Sequence, residues 1–336
     1  MLTSDFDFTY PESLVATQPQ KPSRILLAGS EPKEINKTGL FKLFKPGDVL
    51  VINETKVVPK KILATTSKKK PIEILFLNER SDKIWTVLLP LSRLKPGEIL
   101  QLPDEITLEV VEGGIPQAAR LSRPLDMEYF LKHGRMPLPP YIEKARKASA
   151  ATTADMAWYQ TAWALKAGSA AAPTASFHFD RHDLESLQEN GVHIEKICLH
   201  VGLGTFLPVQ SDTLTDHKMH AEYAEVTAAT WETIQHCKGR VWALGTTVCR
   251  TLESIPKGKL QLSKGVYQGE TDIFIYPGFK FEIVQGLLTN FHQPKSTLLA
   301  LVAAFSDLAT VKANYEWAIE REFRLFSYGD LSVWLK

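Results

Sequence analysis

Between Lys61 and Arg123 the sequence breaks into short segments rich in β-branched and aliphatic residues: KILATTS, PIEILFLNE, KIWTVLLP, EILQLP, ITLEVVEGG and QAARLS. Lys, Pro, Gly and Asp separate them, and no helical period survives across the stretch. Short strands in series with turn signals predict a small antiparallel barrel or sandwich. On either side of this stretch strands alternate with helical segments, the pattern of a largely parallel or mixed sheet. The expected fold is therefore an α/β main domain with a mixed, barrel-like sheet, built from residues 1–60 and 151–336. A small all-β barrel domain with its connector, residues 61–150, interrupts it. A chain of 336 residues has room for both.

In the first part, Asp5 to Tyr10 alternates as a strand would, and Pro11 ends it. Arg24 to Ala28 and Val49 to Asn53 are apolar runs suited to buried strands. The polar exit Asn53-Glu54-Thr55-Lys56 lies where α/β folds place binding sites. Lys68-Lys69-Lys70 is expected at a hairpin tip. Leu125 to His133 predicts a short helix closed by Gly134. Met136 to Ile142 (MPLPPYI) reads as a rigid extended connector. Lys144 to Asp155, small and polar, is expected to be a mobile loop able to act as a lid. Further on, the pattern predicts helices over Arg181–Asn190, with Asp180 as N-cap, Thr227–Cys237, Arg250–Ser254 and Thr297–Phe305. It predicts strands over His193–Val201, Arg240–Gly245, Asp272–Ile275 and Ile283–Thr289.

Composition removes several function classes. Apolar runs are short and punctuated, so no membrane span is expected, and the N-terminal residues do not read as a signal peptide. Three cysteines, Cys198, Cys237 and Cys249, are widely spaced and odd in number, which argues against a disulfide framework and for a reduced, cytoplasmic protein. Lys plus Arg number 39 against 38 Asp plus Glu. Broad binding to a phosphate backbone is disfavoured by that balance, although a local patch is not.

The chemistry concentrates in Lys196 to Val226, KICLHVGLGTFLPVQSDTLTDHKMHAEYAEV. His200, His217 and His220 lie within it beside Glu222 and Glu225, and His178 shortly precedes it. Such a density of titratable groups suits proton transfer; solvated loop histidines are the alternative. The glycine turns at 202–205, 245–247 and 276–279 match neither a P-loop nor a dinucleotide fingerprint. Their backbone amides can still hold a carboxylate or ribose hydroxyls. His217 and His220 are three apart without a neighbouring Cys, against the four-residue spacing of helical zinc pairs, so no metal is expected. Asn290-Phe291-His292 leaves a strand and adds His292 to the candidates. No nucleophile elbow is present. Spacing alone thus gives an α/β enzyme with a His/Glu-rich site and an inserted β domain.

A long series of ordered motifs goes further. YPESLVATQP, NETKVVPKKI, MPLPPYI, Tyr159-Gln160-Thr161, AAPTASFHF, LHVGLGTFLPV, HKMHAEYAEV, GTTVCRTLES, DIFIYPGF, LLTNFHQPKSTLL and FRLFSYGD together resemble the S-adenosylmethionine:tRNA ribosyltransferase-isomerase family of queuosine biosynthesis. The resemblance implies an α/β domain interrupted by a β-barrel. It also implies transfer and isomerisation of the ribosyl part of S-adenosylmethionine onto 7-aminomethyl-7-deazaguanine at the wobble position of tRNA with a GUN anticodon. The product would be epoxyqueuosine-tRNA, with adenine and methionine released. S-adenosylmethionine is then a consumed substrate, no cofactor is expected, and a monomer is. A sulfonium acidifies the neighbouring ribose C5′ hydrogens and departing adenine benefits from protonation. On that basis His178, His200, His220 and His292 are the acid/base candidates, with Glu222 orienting them or facing charge. Thr174, Gly204, Thr205, Thr247 and Asn290 are candidates for ribose or methionine, and Arg250 and Arg324 for a carboxylate or phosphate. The chain departs from the family pattern at Ser176-Phe177, where Gly-Leu is usual, at Val248-Cys249, where Ser-Val is usual, and at Lys61, where an arginine is usual. Alternatives are a S-adenosylmethionine-consuming enzyme acting on a free small molecule, or an RNA-binding relative without turnover.

Overall fold

The computed structural model describes residues 1–81, 83–89, 94–146, 151–202, 204, 209 and 211–336. The chain divides into two compact units. One comprises Met1–Lys56, Pro140–Ala148 and Gln160–Lys336; the other comprises Val57–Pro139 and Ser149–Tyr159.

The larger unit is organised by a 10-stranded mixed sheet. Its centre is the run Val49–Asn53, in which all five residues are buried, as expected of a strand covered on both faces. His193–Leu199 and Val241–Leu244 pair with it in parallel, and Gly286–Asn290 pairs in parallel with Val241–Leu244. Antiparallel strands extend both flanks: Glu222–Thr227, Val266–Thr271 and Gln261–Ser263 on one side, Leu331–Leu335 on the other. Ile25–Leu27 then joins Leu331–Leu335 in parallel, and Lys33–Ile35 forms the far edge. With two edge strands this sheet is open. The barrel-like character expected of it does not amount to closure.

Alternate residues feed two cores. Val49, Val51, Ala243 and Leu287 face the helices Thr246–Ser254, Thr297–Phe305 and Leu308–Glu320. Leu50, Ile52, Leu244 and Leu288 face Leu40, Leu184, Leu187 and Trp163 on the other side. Helix starts follow from side chains able to cap them: Asp180 accepts from the Asp183 amide, Thr227 from Thr230, Ser296 from Leu299 and Asp307 from Thr310, each satisfying an otherwise orphan donor.

In the smaller unit six antiparallel strands close into a barrel: Lys61–Thr66, Pro71–Ser81, Ile84–Leu88, Ile99–Gln101, Thr107–Glu112 and Gln117–Leu121. Period-two alternation points Ile62, Ala64, Ile74, Phe76, Leu108 and Val110 inward. Lys68-Lys69-Lys70 lies at the tip between the first two strands, with Lys69 at φ 57°. The helix Met127–His133, capped by Asp126, packs Phe130 against Phe76 and Trp85.

Several expectations need correction. Asp5 to Tyr10 is not a strand; Thr3–Phe6 is a single helical turn, because the Asp5 carboxylate accepts the Leu2 amide and winds the segment locally. Asp272 to Ile275 is irregular and the strand there is Val266–Thr271. The extended connector ends at Pro140, where a helix runs to Arg146. Of the expected lid, Lys144–Arg146 is therefore helical and residues 147–150 lie outside the described residues.

Candidate active site

The four parallel strands all point their carboxyl ends the same way, and the candidate residues gather there. His200 follows the strand His193–Leu199, Thr55 follows Val49–Asn53, Gly245-Thr246-Thr247 follows Val241–Leu244, and His292 follows Gly286–Asn290. Glu222 and Asp330 reach the same edge because they begin or precede antiparallel strands. That end is where open α/β sheets bind ligands.

Two neighbourhoods can be separated. In the first, Asn290 is a hub. It accepts from Thr174 Oγ1 at 2.8 Å, and its amide nitrogen lies 3.0 Å from His178 Nε2 and 3.5 Å from the Asp330 carbonyl oxygen. His178 Nδ1 is 2.7 Å from Ser23 Oγ. The Asp330 carboxylate, fully buried, accepts from the Arg24 and Arg324 amides and from the Arg324 guanidinium. Burial, reinforced by the Arg324 charge, pushes His178 down to about 3.

The second neighbourhood centres on Glu222, whose carboxylate accepts from the Gly202 amide at 2.8 Å and pairs with Arg250. Both side chains are almost wholly buried. Arg250 also donates to the Ile273 carbonyl. His200 Nδ1 lies 2.8 Å from Thr55 Oγ1, and its ring packs on the Gly168 backbone so closely that a Cβ there would come within 2.8 Å of it. His220 sits beside Gly204, where a Cβ would lie 3.9 Å from the His220 Cβ. His217 leans edge-on against Phe274; burial first and the neighbouring His220 second lower its pKa. Among the described residues no group of three His, Cys, Asp or Glu side chains could hold a metal ion.

The helix Thr246–Ser254 connects the two. It starts from Gly245, whose φ of 100° suits glycine and where a Cβ would lie 3.7 Å from Ala175 of the His178 turn. One turn on, it delivers Arg250 to Glu222. Four buried polar atoms on these elements lack partners: Ser176 Oγ, Thr247 Oγ1, Arg250 Nη2 and Arg324 Nη1. Buried polar atoms are nearly always satisfied, so this edge has the chemistry to hold a polar, anionic or hydroxylated ligand.

The four histidines are not equivalent. His178 and His292 are buried and neutral; burial alone takes His292 to about 3, and its Nε2 is tied to Thr289 Oγ1 at 2.8 Å. His200 and His220 are half-buried. Thr205 lies outside the described residues. Ser23, Thr55, Gly168 and Asp330 line this edge and are not among the expected residues; Thr55 has a sequence signal in the polar strand exit and Asp330 in the motif FRLFSYGD. The departures also find places. Ser176 is fully buried and not at positive φ, Phe177 stacks on Tyr328, and Val248 and Cys249 are core residues.

A family profile described as "Queuosine biosynthesis protein" matches residues 3–333. The chain belongs to the queuosine biosynthesis protein family. Its relatives agree along the whole length. It is 42% identical, over 99% of each chain, to the S-adenosylmethionine:tRNA ribosyltransferase-isomerase of Cereibacter sphaeroides. To the protein of that name in Rubrobacter xylanophilus it is 41% identical, over 100% of this chain and 98% of the relative. Among solved structures it resembles the S-adenosylmethionine tRNA ribosyltransferase of Thermotoga maritima, with 28% identity, a TM-score of 0.55 and coverage of 98% of this chain and 99% of that one.

Proposed function

We propose that this protein is an S-adenosylmethionine:tRNA ribosyltransferase-isomerase. It transfers and isomerises the ribosyl moiety of S-adenosylmethionine onto 7-aminomethyl-7-deazaguanine at the wobble position of a GUN-anticodon tRNA, giving epoxyqueuosine-tRNA, adenine and methionine. The observation that carries this is end-to-end identity near 40% with relatives of that name.

The site chemistry supports it. Half-buried His200 and His220 retain the access that proton transfer at C5′ and at the departing adenine requires. Glu222 orients Arg250, and the partnerless Arg250 Nη2 in one neighbourhood and Arg324 Nη1 in the other are the candidates to take the methionine carboxylate. Gly204 and Thr247 bound the ribose side. S-adenosylmethionine is a substrate, and no cofactor is required. The β-barrel is an inserted domain interrupting the α/β domain, which the discontinuous larger unit supports. The protein works as a cytoplasmic monomer. All three cysteines are free, and no helix among the described residues is long and apolar enough to cross a membrane.

The deciding experiment is adenine release from S-adenosylmethionine with and without precursor-bearing tRNA. Release only with that tRNA is expected. Release with a free small-molecule acceptor, or none at all, would overturn the reading.

A further inference from the structure

A chain of hydrogen bonds with a fixed direction ends at Thr174. The Asp330 carbonyl can only accept, and it lies 3.5 Å from Asn290 Nδ2, which settles which end of the amide faces His178. Nδ2 is then the donor to His178 Nε2 at 3.0 Å, so Nε2 carries no proton. The single proton of the neutral ring sits on Nδ1 and goes to Ser23 Oγ at 2.7 Å. Asn290 Oδ1 remains to face Thr174 Oγ1 at 2.8 Å, and it takes that hydroxyl's only proton. Flipping the amide would set two acceptor oxygens against each other at Asp330 and remove the donor for Nε2. A buried, neutral His178 agrees with the assigned tautomer. Thr174, half-buried at the ligand-facing edge, is left with lone pairs alone.

We propose that Thr174 is an acceptor-only contact for a hydrogen-bond donor of the substrate, with Ser23, His178 and Asn290 as positioning residues that hold it in that state. This rests on the reading of S-adenosylmethionine as substrate. That molecule carries four such donor groups, the 2′ and 3′ hydroxyls, the α-ammonium and the adenine N6 amino group. Its carboxylate is excluded here, because it would meet lone pairs.

Calorimetric binding of S-adenosylmethionine and of its analogues lacking the 2′ hydroxyl, the 3′ hydroxyl, the α-ammonium or the adenine N6 amino group to the full chain tests the idea. Thr174→Val should weaken S-adenosylmethionine binding roughly 10-fold, the size of one lost hydrogen bond in a desolvated site, and Thr174→Ser should restore it. The analogue lacking the matched donor should bind wild type and Thr174→Val equally. His178→Gln, whose amide can accept from Asn290 and donate to Ser23, should keep this discrimination, and His178→Leu should lose it with the protein still folded by circular dichroism. Wild-type affinity in Thr174→Val, or the same loss with every analogue, would overturn the acceptor role alone while tRNA-dependent adenine release by wild type stands. Wild type that neither binds S-adenosylmethionine nor releases adenine overturns both.

Discussion

Asp48 and Glu222 are buried carboxylates at opposite ends of the same sheet, and their partners tell them apart. Asp48, before the amino end of the central strand, accepts from the Lys45 and Arg240 amides and from the Trp242 indole. All its capacity goes to the fold. Asp48→Ala should cost about 3 kcal/mol by leaving the buried Trp242 indole and two part-buried amides unpaired, read by urea unfolding, with adenine release per folded molecule unchanged. Glu222 instead holds an arginine with a nitrogen to spare. The buried histidines give a pH signature. His178 and His292 stay neutral in the folded protein down to about pH 3, against an ordinary value of 6.5. Between those values the unfolded chain binds more protons, so stability is fully present above pH 6.5 and falls as pH drops through the window. Each histidine should contribute about 1.4 kcal/mol per pH unit there. Urea unfolding at pH 7.5, 6.0 and 5.0 should show a steeper decline in wild type than in His178→Gln or His292→Gln; equal slopes would refute it. Of these facts the sequence revealed residue types and their gathering. It did not reveal which histidines are sealed, since that depends on partners met across the fold, Ser23 for His178 and Tyr315 for His292.

At the scale of elements, legibility followed local pattern. The six barrel strands were readable because each is a short run rich in β-branched and aliphatic residues bounded by turn residues. Val266–Thr271 was not, because it lies half-exposed toward the sheet edge and contains Gly269, whereas the neighbouring irregular DIFI is apolar because Ile273 and Ile275 insert into the core. Leu331–Leu335 lies between Gly286–Asn290 and Ile25–Leu27, a long-range pairing invisible to any local window. The strand Lys166–Ser169 carries a prediction at this scale. Its Gly168 lets backbone lie against the His200 ring, and a methyl there would come within 2.8 to 2.9 Å of three ring atoms, inside van der Waals contact. Gly168→Ala should therefore displace His200 and lower kcat about 10-fold or more while S-adenosylmethionine affinity changes little. Steady-state kinetics with calorimetry separates the two effects, and loss of affinity with kcat intact would remove His200 from the chemistry.

For the whole molecule, charge decides how a tRNA could be held. With a net charge of +1, the chain has no general attraction for a polyanion, so recognition of tRNA must rest on a small number of local phosphate contacts. Each contact to a single strand contributes roughly −0.7 to the slope of log affinity against log salt, and to a duplex roughly −0.9. Three or four contacts would thus weaken tRNA binding by roughly 20- to 150-fold between 50 and 200 mM salt. In the proposed site S-adenosylmethionine meets buried groups such as Arg250 and Glu222, which salt screens poorly, so its affinity should move little over the same range. Raising salt should then increase KM for tRNA steeply, leave KM for S-adenosylmethionine nearly constant, and leave kcat at saturating tRNA unchanged. A tRNA affinity indifferent to salt would mean that base contacts alone hold the substrate. Parallel weakening for both substrates would mean that salt perturbs the site itself, and local phosphate recognition would have to be abandoned.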